Sequence, residues 1–183
     1  MKLNTTSHDS GFGACYLPAL LAVLAGLCLP QTAPAYTWKN AAINGGGFVP
    51  GIVFHPGLEN LIYARTDIGG LYRWNQAAGK WIPLLDWIGW DQWGYTGVWS
   101  VGLDANNVNV VYAAVGTYSN GWDPNNGAIL KSTDQGATWT IVPLPFKGAG
   151  NMPGRGCGER LAVDPNNGNI LYLAATGKAL MPV

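Results

Sequence analysis

The chain is poor in charge, in cysteine and in histidine, and each shortage removes a class of function. Charged residues make up 11% and the formal net charge is zero, so there is no field to draw in nucleic acid or an anionic membrane. Of the three cysteines, Cys15 and Cys28 fall in an N-terminal leader. Cys157 is left alone, without a disulfide framework or zinc-ligand spacing. Beyond the leader the only histidine is His55, followed by Pro56 in a turn. A Ser-His-Asp triad and most metal schemes are therefore out of reach, and neither metal nor cofactor is expected.

Long apolar runs are also scarce. The one candidate, Ala19 to Leu29, is shorter than the about 20 residues a membrane-spanning helix needs. With Lys2 before it and Ala33-Pro-Ala35 after it, it reads as a secretory signal peptide over residues 1–35, cleaved after Ala35. The alternative is an uncleaved anchor. The expectation is a secreted, extracellular protein with no membrane attachment after cleavage.

What remains, residues 36–183, is rich in tryptophan and glycine: all nine tryptophans lie there. Three stretches read as one strand repeated: Leu61-Ile-Tyr-Ala-Arg-Thr-Asp67, Val110-Val-Tyr-Ala-Ala-Val-Gly116 and Ile170-Leu-Tyr-Leu-Ala-Ala-Thr176. Turn signals precede each, at His55-Pro-Gly57, Asp104-Ala-Asn-Asn107 and Asp164-Pro-Asn-Asn167. The first unit reads as strands 49–54, 61–66, 71–74 and 80–84, and the second as 98–103, 110–115, 128–132 and 138–144. The third begins with 160–163 and 170–175. Short antiparallel strands in units of four, each repeating a tyrosine (Tyr63, Tyr112, Tyr172), predict an all-β fold of β-propeller blades. Ser132-Thr-Asp-Gln-Gly-Ala-Thr-Trp139 is an Asp-box, in which Asp134 ties down a turn, and Trp74 with Trp81 marks a worn copy. A closed propeller takes about four to eight blades, whereas this region supplies about two and a half. It is expected to be a partial, truncated N-terminal propeller domain.

Insertions on a repeat fold collect on one face, often the binding face. The longest here are Asp86 to Tyr95, Thr117 to Asn126 and Phe146 to Gly158. Trp90, Trp93 and Trp122 lie in them and are candidates for stacking on sugar rings. Trp87 and Trp99 are further candidates, and core packing is the rival for all of them. Arg155, between glycines, is a candidate for hydrogen-bonding sugar hydroxyls. Asp67 stands where its repeat siblings have Gly116 and Thr176, so the repeat does not need it. It is either a cap on the Gly69-Gly70 turn or a group with chemistry. Arg65, on the same strand face, would be its partner. Glu159 reads as an ion-pair partner of Arg160, and Asp91, among tryptophans, as a loop carboxylate or an acid.

The segments Trp38-Lys-Asn40, Gly45-Gly-Gly-Phe-Val-Pro-Gly-Ile52, Ala64-Arg-Thr-Asp-Ile-Gly-Gly-Leu-Tyr72 and Val111-Tyr-Ala-Ala-Val-Gly-Thr-Tyr118 carry a resemblance, as do Gly150-Asn-Met-Pro-Gly-Arg-Gly156 and Gly158-Glu-Arg-Leu-Ala-Val-Asp-Pro165. Together they resemble the N-terminal part of the family 74 glycoside hydrolases, the xyloglucanases and related endoglucanases. The resemblance implies inverting hydrolysis of the β-1,4-glucan backbone of xyloglucan, in a cleft between two seven-bladed propellers. It places one catalytic carboxylate at Asp67, as general base. The second, acidic one lies far downstream in the family, on a C-terminal propeller that this chain lacks. Inversion needs two carboxyls about 6.5–9.5 Å apart, so this chain alone is expected to be inactive. It also requires Asp67 to face an open surface. A non-catalytic sugar-binding or interaction propeller is the alternative. A sialidase shares the Asp-box, but Arg65, Arg73, Arg155 and Arg160 follow no sialidase pattern.

Overall fold

The computed structural model describes residues 42–175, and the expected signal peptide lies outside the described residues. Strands β1 (Gly51–Phe54), β2 (Ile62–Arg65), β3 (Leu71–Asn75) and β4 (Lys80–Pro83) form an antiparallel sheet in chain order. Strands β5 (Val98–Leu103), β6 (Val111–Val115), β7 (Ala128–Ser132) and β8 (Thr140–Pro143) repeat that meander. A two-stranded sheet follows, β9 (Leu161–Asp164) with β10 (Asn167–Leu173). The fold is all-β and consists of propeller blades.

The sheets pack face on face, and side-chain alternation explains how. In β6, Val111, Ala113 and Val115 join Leu61, Tyr63 and Leu71 of the first unit in one core cluster. The intervening Tyr112 and Ala114, with Val110 just before the strand, join Leu161 of β9 in a second cluster. A strand buried on both faces must be apolar at every position, and all five β6 residues are buried. In β5 the pairing register slips between Val98 and Ser100. This bulge adds one residue, so Val98 and Val101 share a face that strict alternation would have split, and Trp99 enters the second cluster. Burial pushes the Tyr63 hydroxyl up to about 12.

Expected and observed strands agree except at their ends. Val49 and Pro50 fall outside β1, as suits a proline with no N–H to donate. Through a register irregularity β10 begins at Asn167 rather than Ile170. Trp90–Thr96, read as an open connection, forms a 3-10 helix. In the Asp-box, Asp134 accepts hydrogen bonds from Ser132 Oγ at 2.7 Å, Thr138 N at 2.8 Å and Thr138 Oγ1 at 2.6 Å. The Thr138 bonds, then that from Ser132, lower its pKa to about 2. Trp139 reaches across to the first unit, donating from Nε1 to Leu84 O at 3.1 Å.

Because strand direction alternates, connections β2–β3, β4–β5, β6–β7 and β8–β9 all emerge at one end of the sheets. Backbone bonds link them in series. Gly70 N donates to Thr96 O at 2.8 Å, Gly116 N to Gly97 O at 2.9 Å and Gly150 N to Gly116 O at 2.8 Å. The Asp-box turn lies at the opposite end.

Candidate active site

Asp67 sits just past β2 in a turn closed by Thr66, whose Oγ1 donates to Gly70 O at 2.9 Å and accepts from Gly69 N at 2.8 Å. Capping of this turn, one of the two roles open to Asp67, therefore belongs to Thr66. Asp67 turns instead toward the segment before β1, where Oδ1 accepts from Phe48 N at 2.7 Å. A Cβ at Gly47 would lie 2.5 Å from that oxygen, and φ there is +92°, so glycine is required for the approach. Oδ2 lies 3.0 Å from Arg155 Nε. The angle excludes a hydrogen bond, leaving a charge contact. The Arg155 guanidinium also stands 5.7 Å from the centre of the exposed Phe48 ring.

The carboxylate is nearly closed to solvent: the Asp67 side chain is 6% exposed and the Arg155 side chain above it 37%. Asp67 thus lies one side chain below the surface, under the Arg155 cation, and is not open as the hydrolytic reading requires.

Arg65 does not pair with Asp67, contrary to the expectation from alternation. Its fully buried guanidinium meets Glu159, with Nε donating to Oε1 at 2.6 Å. The expected Glu159–Arg160 pair is likewise replaced. Arg160 Nη2 donates to Gly154 O at 2.6 Å. Strand alternation sends Arg65 toward the second unit, whereas the turn after Thr66 releases Asp67 from the strand's two-residue period.

The aromatic candidates separate into two kinds. Trp93 and Tyr118 meet edge to face at 6.1 Å, and Tyr118 meets Trp122 in the same way at 5.6 Å. Trp122 is 76% exposed. Tyr118 was not singled out in the sequence, although it stands at the start of the second unit's insertion. Its hydroxyl accepts from Asn151 Nδ2 at 3.1 Å. Trp90 is 87% exposed, and Trp87, half exposed, donates to Leu84 O at 3.2 Å. Trp99 is a core residue at 2% exposure and is withdrawn as a stacking candidate. Asp91 is exposed.

The loop that presents Trp122 is organised by Asp123. Its buried carboxylate accepts from Thr117 N at 3.1 Å and from Asn125 N at 3.0 Å. It also backs onto Gly94, where any Cβ would collide with it. Burial, then the Asp123 charge, pushes the Tyr95 hydroxyl up. Among the described residues no cluster of histidine, cysteine, aspartate and glutamate is placed to hold a metal ion.

No family model matches the chain. Similar proteins do, and they agree. A xyloglucanase from Paenibacillus sp is 60% identical over 141 residues, covering 76% of this chain and 14% of that protein. A xyloglucanase from Hypocrea jecorina is 55% identical over 161 residues, covering 85% of this chain and 19% of that protein. Among solved structures, the GH74 xyloglucanase from Xanthomonas campestris superposes with a TM-score of 0.68 at 46% identity. That match covers 76% of this chain and 20% of that structure's chain. The chain is a homologue of the family 74 xyloglucanases. It spans only 14% and 19% of the length of the two curated relatives. The family fold, to part of which it aligns, is a seven-bladed propeller.

Proposed function

We propose that this chain carries one wall of a xyloglucan-cleaving site, with Asp67 as the general base of an inverting hydrolysis. The observation that carries this reading is the carboxylate at the end of β2, held by Phe48 N and Arg155 on the face where the long connections gather. Its relatives' activity supports the choice of substrate. Xyloglucan is neutral, matching a face that offers aromatic rings and hydrogen bonds. Trp93 and Trp122, with Tyr118 between them, supply stacking surfaces for glucose rings, and Trp90 supplies another. Arg155 swings from Asp67 when substrate arrives, and is then free to donate to sugar hydroxyls. For an extracellular polymer, the leader over residues 1–35 directs secretion.

Inversion divides the work between two carboxyls, one activating water and one protonating the leaving oxygen. Asp67 performs the first task. The second belongs to a downstream propeller of the kind the family carries, so the 183-residue chain alone binds xyloglucan without cutting it. The test is a chimera joining this chain to the downstream part of the Paenibacillus relative. Release of reducing ends with inverted configuration is expected, and Asp67→Asn should lower the rate about 100-fold or more. An undiminished rate in Asp67→Asn would remove the base assignment.

A second reading, a non-catalytic sugar-binding propeller, is favoured by one contrast: the aromatic group is open while Asp67 is covered. On that reading the chimera binds xyloglucan and Asp67→Asn changes nothing.

A further inference from the structure

The cover over Asp67 is held from beneath. Arg65, two residues before Asp67, is buried with 0% side-chain exposure and directs its donors at the β8–β9 connection. Nη1 and Nη2 each lie 3.3 Å from Arg155 O, and Nη2 donates to Gly158 O at 3.1 Å. Arg155 is therefore gripped at both ends from one stretch of the first unit, its carbonyl by Arg65 and its guanidinium by Asp67.

Glu159 completes the arrangement. One carboxylate oxygen takes Arg65 Nε, while the other accepts from Val101 N at 2.6 Å and from Ser100 Oγ at 2.9 Å. Ser100 Oγ in turn accepts from Arg160 N at 2.7 Å and Leu161 N at 2.8 Å. Space for the ion pair comes from Gly51, where a Cβ would lie 2.5 Å from Glu159 Oε1 and 2.7 Å from Arg65 Nε. All three units thus meet at one charge pair, in which Arg65 is fully buried and Glu159 remains partly exposed. A buried guanidinium without its carboxylate is strongly unfavourable, so the connection is free to move only if this pair yields.

We infer that Arg65 and Glu159 are a positioning pair that sets where Arg155 lies over Asp67. They act through Arg155 and do not touch substrate. The inference rests on the proposed role of Asp67 for its functional meaning, but its test does not depend on catalysis.

The test is carboxyl labelling of the full chain with a carbodiimide and a small amine, read by peptide mass spectrometry. The exposed Asp91 serves as internal reference. In the unaltered chain Asp67 should label much more slowly than Asp91. In Glu159→Gln the ratio should rise about tenfold, the factor that losing about 1.4 kcal/mol of closure produces. Arg155→Met, which removes the cover but leaves the Arg65–Glu159 pair in place, should raise the ratio as far.

A folded Glu159→Gln with the original ratio would reduce Glu159 to a structural anchor and overturn the inference. If Glu159→Gln does not fold, Ser100→Ala keeps the charge pair but removes one support of Glu159. A smaller rise of the ratio is then expected, and an unchanged ratio overturns the inference. An unaltered chain whose Asp67 labels as fast as Asp91 also overturns it. Loss of the base assignment in the chimera leaves these ratios untouched, so the two ideas fail separately.

Discussion

The connection after the second strand is built twice in this molecule, once short and once long. After β2, residues 66–70 turn at once, closed by the Thr66 hydroxyl, and present a single covered carboxylate. After β6, residues 116–127 make a wide loop closed by the buried Asp123 carboxylate, and present the exposed ring of Trp122 beside the half-buried Tyr118. The strands leading into both are near copies. Shared strands set where a connection begins, and the length and the closing group decide what it displays. A carboxylate appears in both, yet one satisfies backbone N–H groups of its own loop and the other is held by distant parts of the chain. Residue type alone does not distinguish a structural aspartate from a chemical one; its partners do.

The sharpest way to break this comparison is Asp123→Ala. Two backbone N–H groups lose a charged acceptor, each such bond being worth about 1.5–3 kcal/mol. A loss of about 3 kcal/mol in urea unfolding is expected, with xyloglucan binding reduced because Trp122 loses its mount. If stability holds and only binding falls, Asp123 touches the ligand and the structural assignment is wrong. Thr66→Val is the matching change in the short turn. It removes one donor and one acceptor, for an expected loss of about 1–2 kcal/mol, and should leave affinity for the polymer nearly unchanged. Smallest in stability is Trp122→Ala, a change of an exposed ring expected within about 0.5 kcal/mol of the original. Its effect should appear in affinity electrophoresis instead, as a drop of about tenfold, or about 1.4 kcal/mol. Equal affinities would assign the aromatic group to loop packing.

Particular residues show how far the sequence could be read. The Val111, Ala113, Val115 face and the Ser132 to Trp139 turn were legible because alternation and turn chemistry act between near neighbours. The β5 bulge was not, since an extra residue in a strand is visible only against its partner. Trp99, on the expected strand 98–103, was left open between stacking on sugar and core packing, and the bulge turns it inward. Arg65 was expected beside Asp67 and found beside Glu159, a residue far along the chain. Tyr118 gained its place only from two other rings folded around it.

Repeat period and turn residues determined the all-β architecture and the blades, while the family was carried by particular motif segments such as Ala64 to Tyr72. The architecture and the blades follow from short-range preferences that one sequence displays in full. Which cation covers Asp67, which carboxylate Arg65 meets and which rings stand together were decided by the tertiary structure alone. Those contacts join residues far apart in the chain, and backbone geometry brings them within reach only after the sheets have stacked.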